Sequence, residues 1–282
     1  SKQYACLTLK TPCVIILIMK TVILCGGKGT RLHEETEFKP KPMVKIGGVP
    51  ILQHIMNIYA HYGHKEFVLA LGYKGDMIKD YFLTLSRYTD DFEFDMTSGK
   101  IKQLTQKAHK LDYKITFAET GLDTLTAGRV RQVLQYIDDE RFMVTYGDGV
   151  STVNINELID YHMEQEEKHD TYATITTVHP SSKYGRISFN DDGIVTVFEE
   201  KEPVMSDYIN GGFQIFNKKA MQFLDPGEML EDSLTRMTEA GKLAMFRHDG
   251  FWHCMDTMKH YIQLNELWNK DRPWAVWEKT IR

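Results

Sequence analysis

The run Gly26-Gly27-Lys28-Gly29-Thr30-Arg31-Leu32 has the residue types needed to hold phosphate. Its glycines let the backbone approach an anion and turn N–H groups toward the oxygens, while Lys28 and Arg31 supply charge. It is not a P-loop, because no Gly-Lys-Ser/Thr closes it, and it lacks the glycine spacing of the dinucleotide pattern. A glycine-rich tight turn between strand and helix is the purely structural alternative. Shortly downstream stands Lys39-Pro40-Lys41-Pro42-Met43. Each proline restricts its own φ and the residue before it, so Lys41 is expected on an extended path, aimed in one direction. A solvated basic turn would explain one Lys-Pro pair, but less readily this one behind the glycine run.

Other groups carry chemistry less clearly. Asp148, between two glycines in Thr145-Tyr146-Gly147-Asp148-Gly149, has a turn role open to it, and Asp256 before Thr257 reads equally as a helix N-terminal acid. His54, His61 and His64 fall on or just after one expected helix without a carboxylate to complete a zinc set, so they read as surface histidines. Cys25 beside the glycine run reads as a small buried strand residue. Trp268, Trp274 and Trp277 suit either a stacked base or packing of the C-terminal helix.

These groups need elements to position them. Thr21 to Cys25 reads as a buried strand, and Ile51, Leu52, Ile55, Ile58 and Tyr59 mark one face of a helix opened by Pro50. Strands at Glu66–Leu71, Tyr113–Ala118 and Phe142–Tyr146 alternate with helices at Asp76–Leu85 and Ala127–Ile137. That alternation predicts an α/β fold with a doubly wound, mostly parallel Rossmann-like sheet. After a helix near Ile155–Gln165 the pattern changes to strands at Tyr172–Val178, Gly185–Phe189, Ile194–Glu199 and Tyr208–Phe216, expected as added mixed or antiparallel strands. C-terminal helices follow at Glu228–Ala240 and Thr257–Trp268.

The 282 residues are 42% apolar and 26% charged, which excludes a disordered or fibrous chain. The formal charge of −5, with both signs interspersed, argues against nucleic acid or an anionic membrane as partner. Cys6, Cys13, Cys25 and Cys254 show no paired spacing, so disulfides and zinc are not expected and a reducing cytoplasm is. The apolar run Val14–Ile18 is too short to span a membrane. Residues 1–18 read as an upstream extension before a natural start at Met19, the alternative being an extra strand. Residues 19–282 are expected to form one domain.

The joined elements Gly26–Leu32, Pro40–Met43 and Thr145–Gly149 resemble the nucleotide-sugar pyrophosphorylase family, the sugar-1-phosphate nucleotidyltransferases. Residues 33–36, 46–52, Asn210–Phe213, Gly250–Trp252, Met255–Thr257 and the tryptophan-rich tail resemble its branch that joins CTP to glucose 1-phosphate. The likeness runs from about Met19 to Trp277. It implies that Gly26, Gly27, Gly29, Thr30 and Arg31 hold the NTP, that Lys41 touches the reacting phosphate, and that Asp148 and Asp256 share a magnesium ion. It puts Glu119, Thr120 and Gly128 near the base, and Tyr184, Gly185, Glu200, Lys201, Asn210 and Gly211 on the sugar-phosphate side. Glu200-Lys201-Glu202-Pro203 departs from the usual Glu-Lys-Pro. The nucleotide half would end near residue 150, with the sugar-binding half after it.

The implied reaction is in-line attack of a hexose 1-phosphate oxygen on the α-phosphorus of an NTP. Positioning and fixed positive charge drive such transfers without an enzyme nucleophile. Arg31, Lys41 and Asp148 are the expected catalytic groups, Mg2+ the expected cofactor, and CTP with a hexose 1-phosphate the expected substrates. A homo-oligomer follows by analogy with relatives. The alternatives are the same enzyme class with dTTP, UTP or GTP, or a non-catalytic sensor of nucleotide sugars on the same fold.

Overall fold

The computed structural model describes residues 17–105, 111–180, 186–190, 193–199 and 207–281. Strand β1 (Thr21–Cys25) is buried along its whole length. The glycine run and one short helical turn (His33–Thr36) lead from it to helix α1 (Ile51–His61). Then come β2 (Glu66–Leu71), α2 (Gly75–Thr89), an exposed hairpin of β3 (Phe92–Asp95) and β4 (Lys100–Gln103), β5 (Lys114–Glu119), α3 (Thr126–Val133) and β6 (Arg141–Tyr146). The later part contributes β7 (Gly149–Ser151), α4 (Ile155–His169), β8 (Ala173–Val178), the pair β9 (Arg186–Phe189) and β10 (Val195–Glu199), β11 (Ile209–Asn210) and β12 (Gln214–Asn217). It ends with α5 (Leu230–Glu239), β13 (Leu243–Arg247), β14 (Trp252–Cys254) and α6 (Met258–Lys270).

Eight strands form one mixed sheet in the order β11-β8-β12-β6-β1-β2-β5, with β13 also pairing with β8. The segment β6-β1-β2-β5 is parallel, as the strand and helix alternation predicts. Strand β12 runs antiparallel to both β6 and β8, so strands from either side of residue 150 share hydrogen bonds in one sheet. The parallel order reverses direction between β1 and β6. In open α/β sheets, ligands bind in the crevice outside the carboxyl ends of the strands at such a switch point. The glycine run leaves β1 and the Gly147-Asp148-Gly149 turn leaves β6, so both chemical loops emerge there.

Both faces of the sheet are covered. Ile23 and Cys25 join Phe67, Leu69 and Met143 against α1 and α4. Val22 and Leu24 join Val68, Ala70 and Val144 against α3 and α5. This alternation within β1 is what a strand buried on both faces requires, since successive side chains point to opposite sides.

The structure corrects the histidine reading. His61 is exposed, but His54 and His64 are fully buried. Met19 N–H donates to His64 Nδ1 at 3.3 Å. Trp274 Nε1–H donates to His54 Nδ1 at 3.4 Å, leaving Nε2–H to donate to the Ile46 carbonyl at 2.9 Å. Trp268 and Trp277 also lie against His54, with ring centroids 4.6 and 6.0 Å away, so the tryptophan-rich tail packs on α1. Cys25 is buried in β1, and both Cys25 and Cys254 are free thiols. Among the described residues no helix is long and apolar enough to cross a membrane.

Candidate active site at the sheet switch point

The glycine run begins as β1 ends. Gly29 adopts φ +65°, a left-handed conformation open to glycine at little steric cost, and a Cβ there would meet Thr36 Cγ2 at 2.9 Å. A 3-10 turn over Thr30–Leu32 follows. Thr36 Oγ1 lies 2.9 Å from each of the Gly29 and Leu32 carbonyls, pinning the loop from behind. The chain then returns through Pro40, which is extended with φ −69° and ψ 149°. From Lys41 it tightens into a 3-10 turn over Lys41–Met43, rather than continuing the extended path expected from the prolines. Pro42 fits the first turn of that helix, where its missing N–H is not needed.

The turn delivers the Lys41 ammonium between two carboxylates. Its Nζ lies 2.7 Å from Asp148 Oδ2 and 2.7 Å from Asp256 Oδ1. Arg31 Nη1 lies 2.5 Å from the other oxygen of Asp256, Oδ2. Asp148 sits just past β6. Asp256 lies between β14 and α6, and Met255 N–H donating to the Asp148 carbonyl at 2.8 Å ties the two segments together. Burial pulls the Lys41 pKa down, yet the Asp148 charge and the hydrogen bonds to both carboxylates outweigh it and raise the value. Burial likewise pushes Asp256 up, but Lys41 and Arg31 hold it below the usual carboxylate range.

Around this cluster a cleft of about 510 Å³ is lined by residues 24–31 on one side and 122–126 with Met229 on the other. All five expected nucleotide-loop residues, Gly26, Gly27, Gly29, Thr30 and Arg31, line it together with Lys41, Asp148 and Asp256. A smaller cleft of about 180 Å³ shares Arg31, Tyr146, Asp148 and Asp256 with the first, and adds Asn210, Gly211, Trp252 and Cys254. Burial first, then the two aspartate charges, push the Cys254 thiol up to about 11.

Two expected residues, Thr120 and Gly128, are not among those lining the larger cleft. Thr120 is buried, with Oγ1 donating to the Leu71 carbonyl at 2.6 Å. Gly128 lies under the Pro226 carbonyl, where a Cβ would come within 2.6 Å of the oxygen. Tyr184, Gly185, Glu200 and Lys201 lie outside the described residues. The sequence reading missed Leu122, Leu125 and Met229, apolar side chains that keep 51%, 40% and 42% of their surface exposed while lining the cleft. It also missed Arg129. A large apolar residue left exposed in a concave site is a binding signal that only three-dimensional placement reveals.

The family model described as nucleotidyl transferase matches residues 20–270. A Bacillus subtilis protein named "Probable glucose-1-phosphate cytidylyltransferase" is 45% identical, the match covering 92% of this chain and all of that one. A Salmonella typhimurium glucose-1-phosphate cytidylyltransferase is 39% identical with the same coverage. Among solved structures, UTP-bound UGPase from Acinetobacter baumannii aligns with a TM-score of 0.62 at 17% identity, covering 94% of this chain and 98% of that one, and so matches in fold. The chain belongs to the nucleotidyl transferase family. It is accordingly an enzyme, a nucleotidyltransferase.

Enzymes of this family generally work with a divalent metal ion. Among the described residues no group of three His, Cys, Asp or Glu side chains could hold one. Two carboxylates converging on a single cation do fit an ion that takes one or two protein carboxylates and draws its remaining oxygens from substrate phosphates and water.

Proposed function

We propose that the protein joins CTP and glucose 1-phosphate to give CDP-glucose and pyrophosphate. An oxygen of the sugar phosphate attacks the α-phosphorus of CTP, forming the new P–O bond as the bond to the β-phosphate oxygen breaks. The electron pair leaves with pyrophosphate, and no covalent enzyme intermediate is needed. The observation that carries the reading is the convergence of Lys41 with Arg31, Asp148 and Asp256, the last three lining both the larger and the smaller cleft. The names of the relatives at 45% and 39% identity give the substrate pair.

In this scheme the glycine loop and Thr30 cradle the triphosphate in the larger cleft, and Leu122, Leu125 and Met229 offer apolar surface to the base. Lys41 neutralises charge gathering at the α-phosphate, and Arg31 steadies the departing pyrophosphate. Lys41 is held in advance by two carboxylates, so little reorganisation of it is required as charge develops. The smaller cleft, with Asn210 and Gly211, receives the hexose phosphate. Asp148 and Asp256 would hold Mg2+, which would lower the repulsion between two anionic substrates when bound. The enzyme acts as a homo-oligomer of the reducing cytoplasm, on small phosphorylated substrates rather than nucleic acid or membrane.

A competition assay with equal CTP, UTP, dTTP and GTP, glucose 1-phosphate and Mg2+ tests the assignment through the nucleotide sugar formed. CDP-glucose as main product supports it, and preference for another base overturns it.

A further inference from the structure

Arg129, on α3, retains only 3% of its accessible surface, and its guanidinium donates to carbonyl and hydroxyl oxygens. Nη1 lies 3.0 Å from the Leu71 carbonyl, 2.7 Å from Thr120 Oγ1 and 2.9 Å from the Gly121 carbonyl. Nη2 lies 3.2 Å from both the Gly26 and Leu122 carbonyls. One fork therefore ties together the start of the phosphate loop, the end of β2 and the loop after β5. Burial pulls its pKa down, yet a guanidinium stays charged in proteins. Both Nη groups are committed to the chain.

The neighbouring glycines follow from this arrangement. A Cβ on Gly26 would stand 2.0 Å from Arg129 Nη1, and one on Gly72 would stand 2.6 Å from the same atom. A methyl at Gly26 can be housed only if the guanidinium moves and releases its carbonyls, and one at Gly72 would in addition press on the Gly26 and Gly121 carbonyl oxygens, at 2.8 and 2.9 Å. The first glycine of the phosphate run thus makes room for an arginine of the protein itself.

We propose that Arg129 is a positioning residue that fixes the width of the larger cleft by holding the Gly26 carbonyl on one wall and the Gly121 and Leu122 carbonyls on the other. It acts on nucleotide binding through these main-chain bonds. The inference rests on the reading that CTP occupies this cleft. A lysine has a similar charge but offers a point donor rather than a planar fork, so it cannot span the same acceptors.

The test compares the full-length wild-type enzyme with Arg129→Lys and Gly72→Ala by amide hydrogen exchange without nucleotide, and by steady-state kinetics. In Arg129→Lys, exchange is expected to quicken together in segments 26–30 and 121–124, while the KM for CTP rises about tenfold and kcat and the KM for glucose 1-phosphate stay within about twofold. Gly72→Ala, which lies outside the cleft lining but crowds both the guanidinium and the Gly26 and Gly121 carbonyls, should quicken exchange in the same two segments. Unchanged exchange in either segment would overturn the proposal. So would exchange accelerated across the whole sheet with a common fall in melting temperature, since that marks general destabilisation. Should the wild-type enzyme release no pyrophosphate with CTP, the functional reading fails, while the exchange comparison still decides the role of Arg129.

Discussion

Lys41 donates to Asp148 at 2.7 Å across 107 positions of sequence, joining a loop that follows β1 to the turn that follows β6. The same ammonium reaches Asp256, so one cation knits three separate segments together. Removing it takes away the tie between the carboxylates and, on the proposed function, the positive charge at the reacting phosphate. Lys41→Ala is expected to lower kcat by about two to three orders of magnitude, comparable to loss of a preorganised charge-stabilising donor. Pyrophosphate release measures this, and an unchanged far-ultraviolet circular dichroism spectrum shows that the fold survives.

Asp148→Asn and Asp256→Asn should each weaken the metal requirement's saturation, raising the Mg2+ concentration for half-maximal rate about tenfold or more. Chelation should silence the wild-type enzyme, and added Mg2+ should restore it. Full activity of either variant at low Mg2+ would remove that aspartate from the metal site.

The two clefts are expected to separate in kinetics. Met229→Ala trims the wall of the larger one and should raise the KM for CTP about threefold to tenfold with little change for the sugar phosphate. Asn210→Ala, in the smaller cleft, should do the reverse. Equal effects of both variants on both substrates would mean that the clefts are not divided between them.

Trp274 is completely buried between Phe251 and the His54 face of α1. Trp274→Ala is expected to cost about 3–5 kcal/mol, as do other large-to-small core changes. At this chain length that is a fall of roughly 10 °C in melting temperature, readable by scanning calorimetry.

Two buried histidines set an acid limit. Burial depresses His64 and His162 from the ordinary 6.5 to about 4. As pH falls below 6.5 the unfolded chain takes up these protons first, so the stability they protect is intact above pH 6.5 and is lost on the way down through pH 4. Each contributes up to about 3 kcal/mol of that loss. Urea midpoints measured between pH 7 and 4.5 should decline, and His64→Gln should flatten part of the slope.

The parallel core was legible because its strands are continuous apolar runs separated by helices of clear period, and because the glycine run follows directly on β1. Tyr208–Phe216, read as one strand, is two, since Gly211 and Gly212 interrupt it and Gly212 takes φ +77°. The hairpin β3–β4 escaped notice because Phe-Glu-Phe-Asp and Lys-Ile-Lys-Gln are too short and charged to register as strands, and β14 is shorter still. His54 and His64 carry no sign in the sequence of partners such as Trp274 and Met19 that let them be buried. Arg129 reads as another exposed base on an amphipathic helix. Only the inward curl of three separate segments turns it into their common anchor.

Because β1 and β6 are hydrogen-bonded neighbours, with Leu24 opposite Tyr146, the loops that leave them start one inter-strand step apart. That step is about 4.8 Å in any sheet. The gap between the glycine run and the acidic turn is therefore set by the peptide backbone itself, independent of side-chain choice. Under the proposed function, a designer seeking new nucleotide or sugar partners would redraw the outer walls at Met229, Asn210 or Leu122 while the spacing between the two loops stays unaltered.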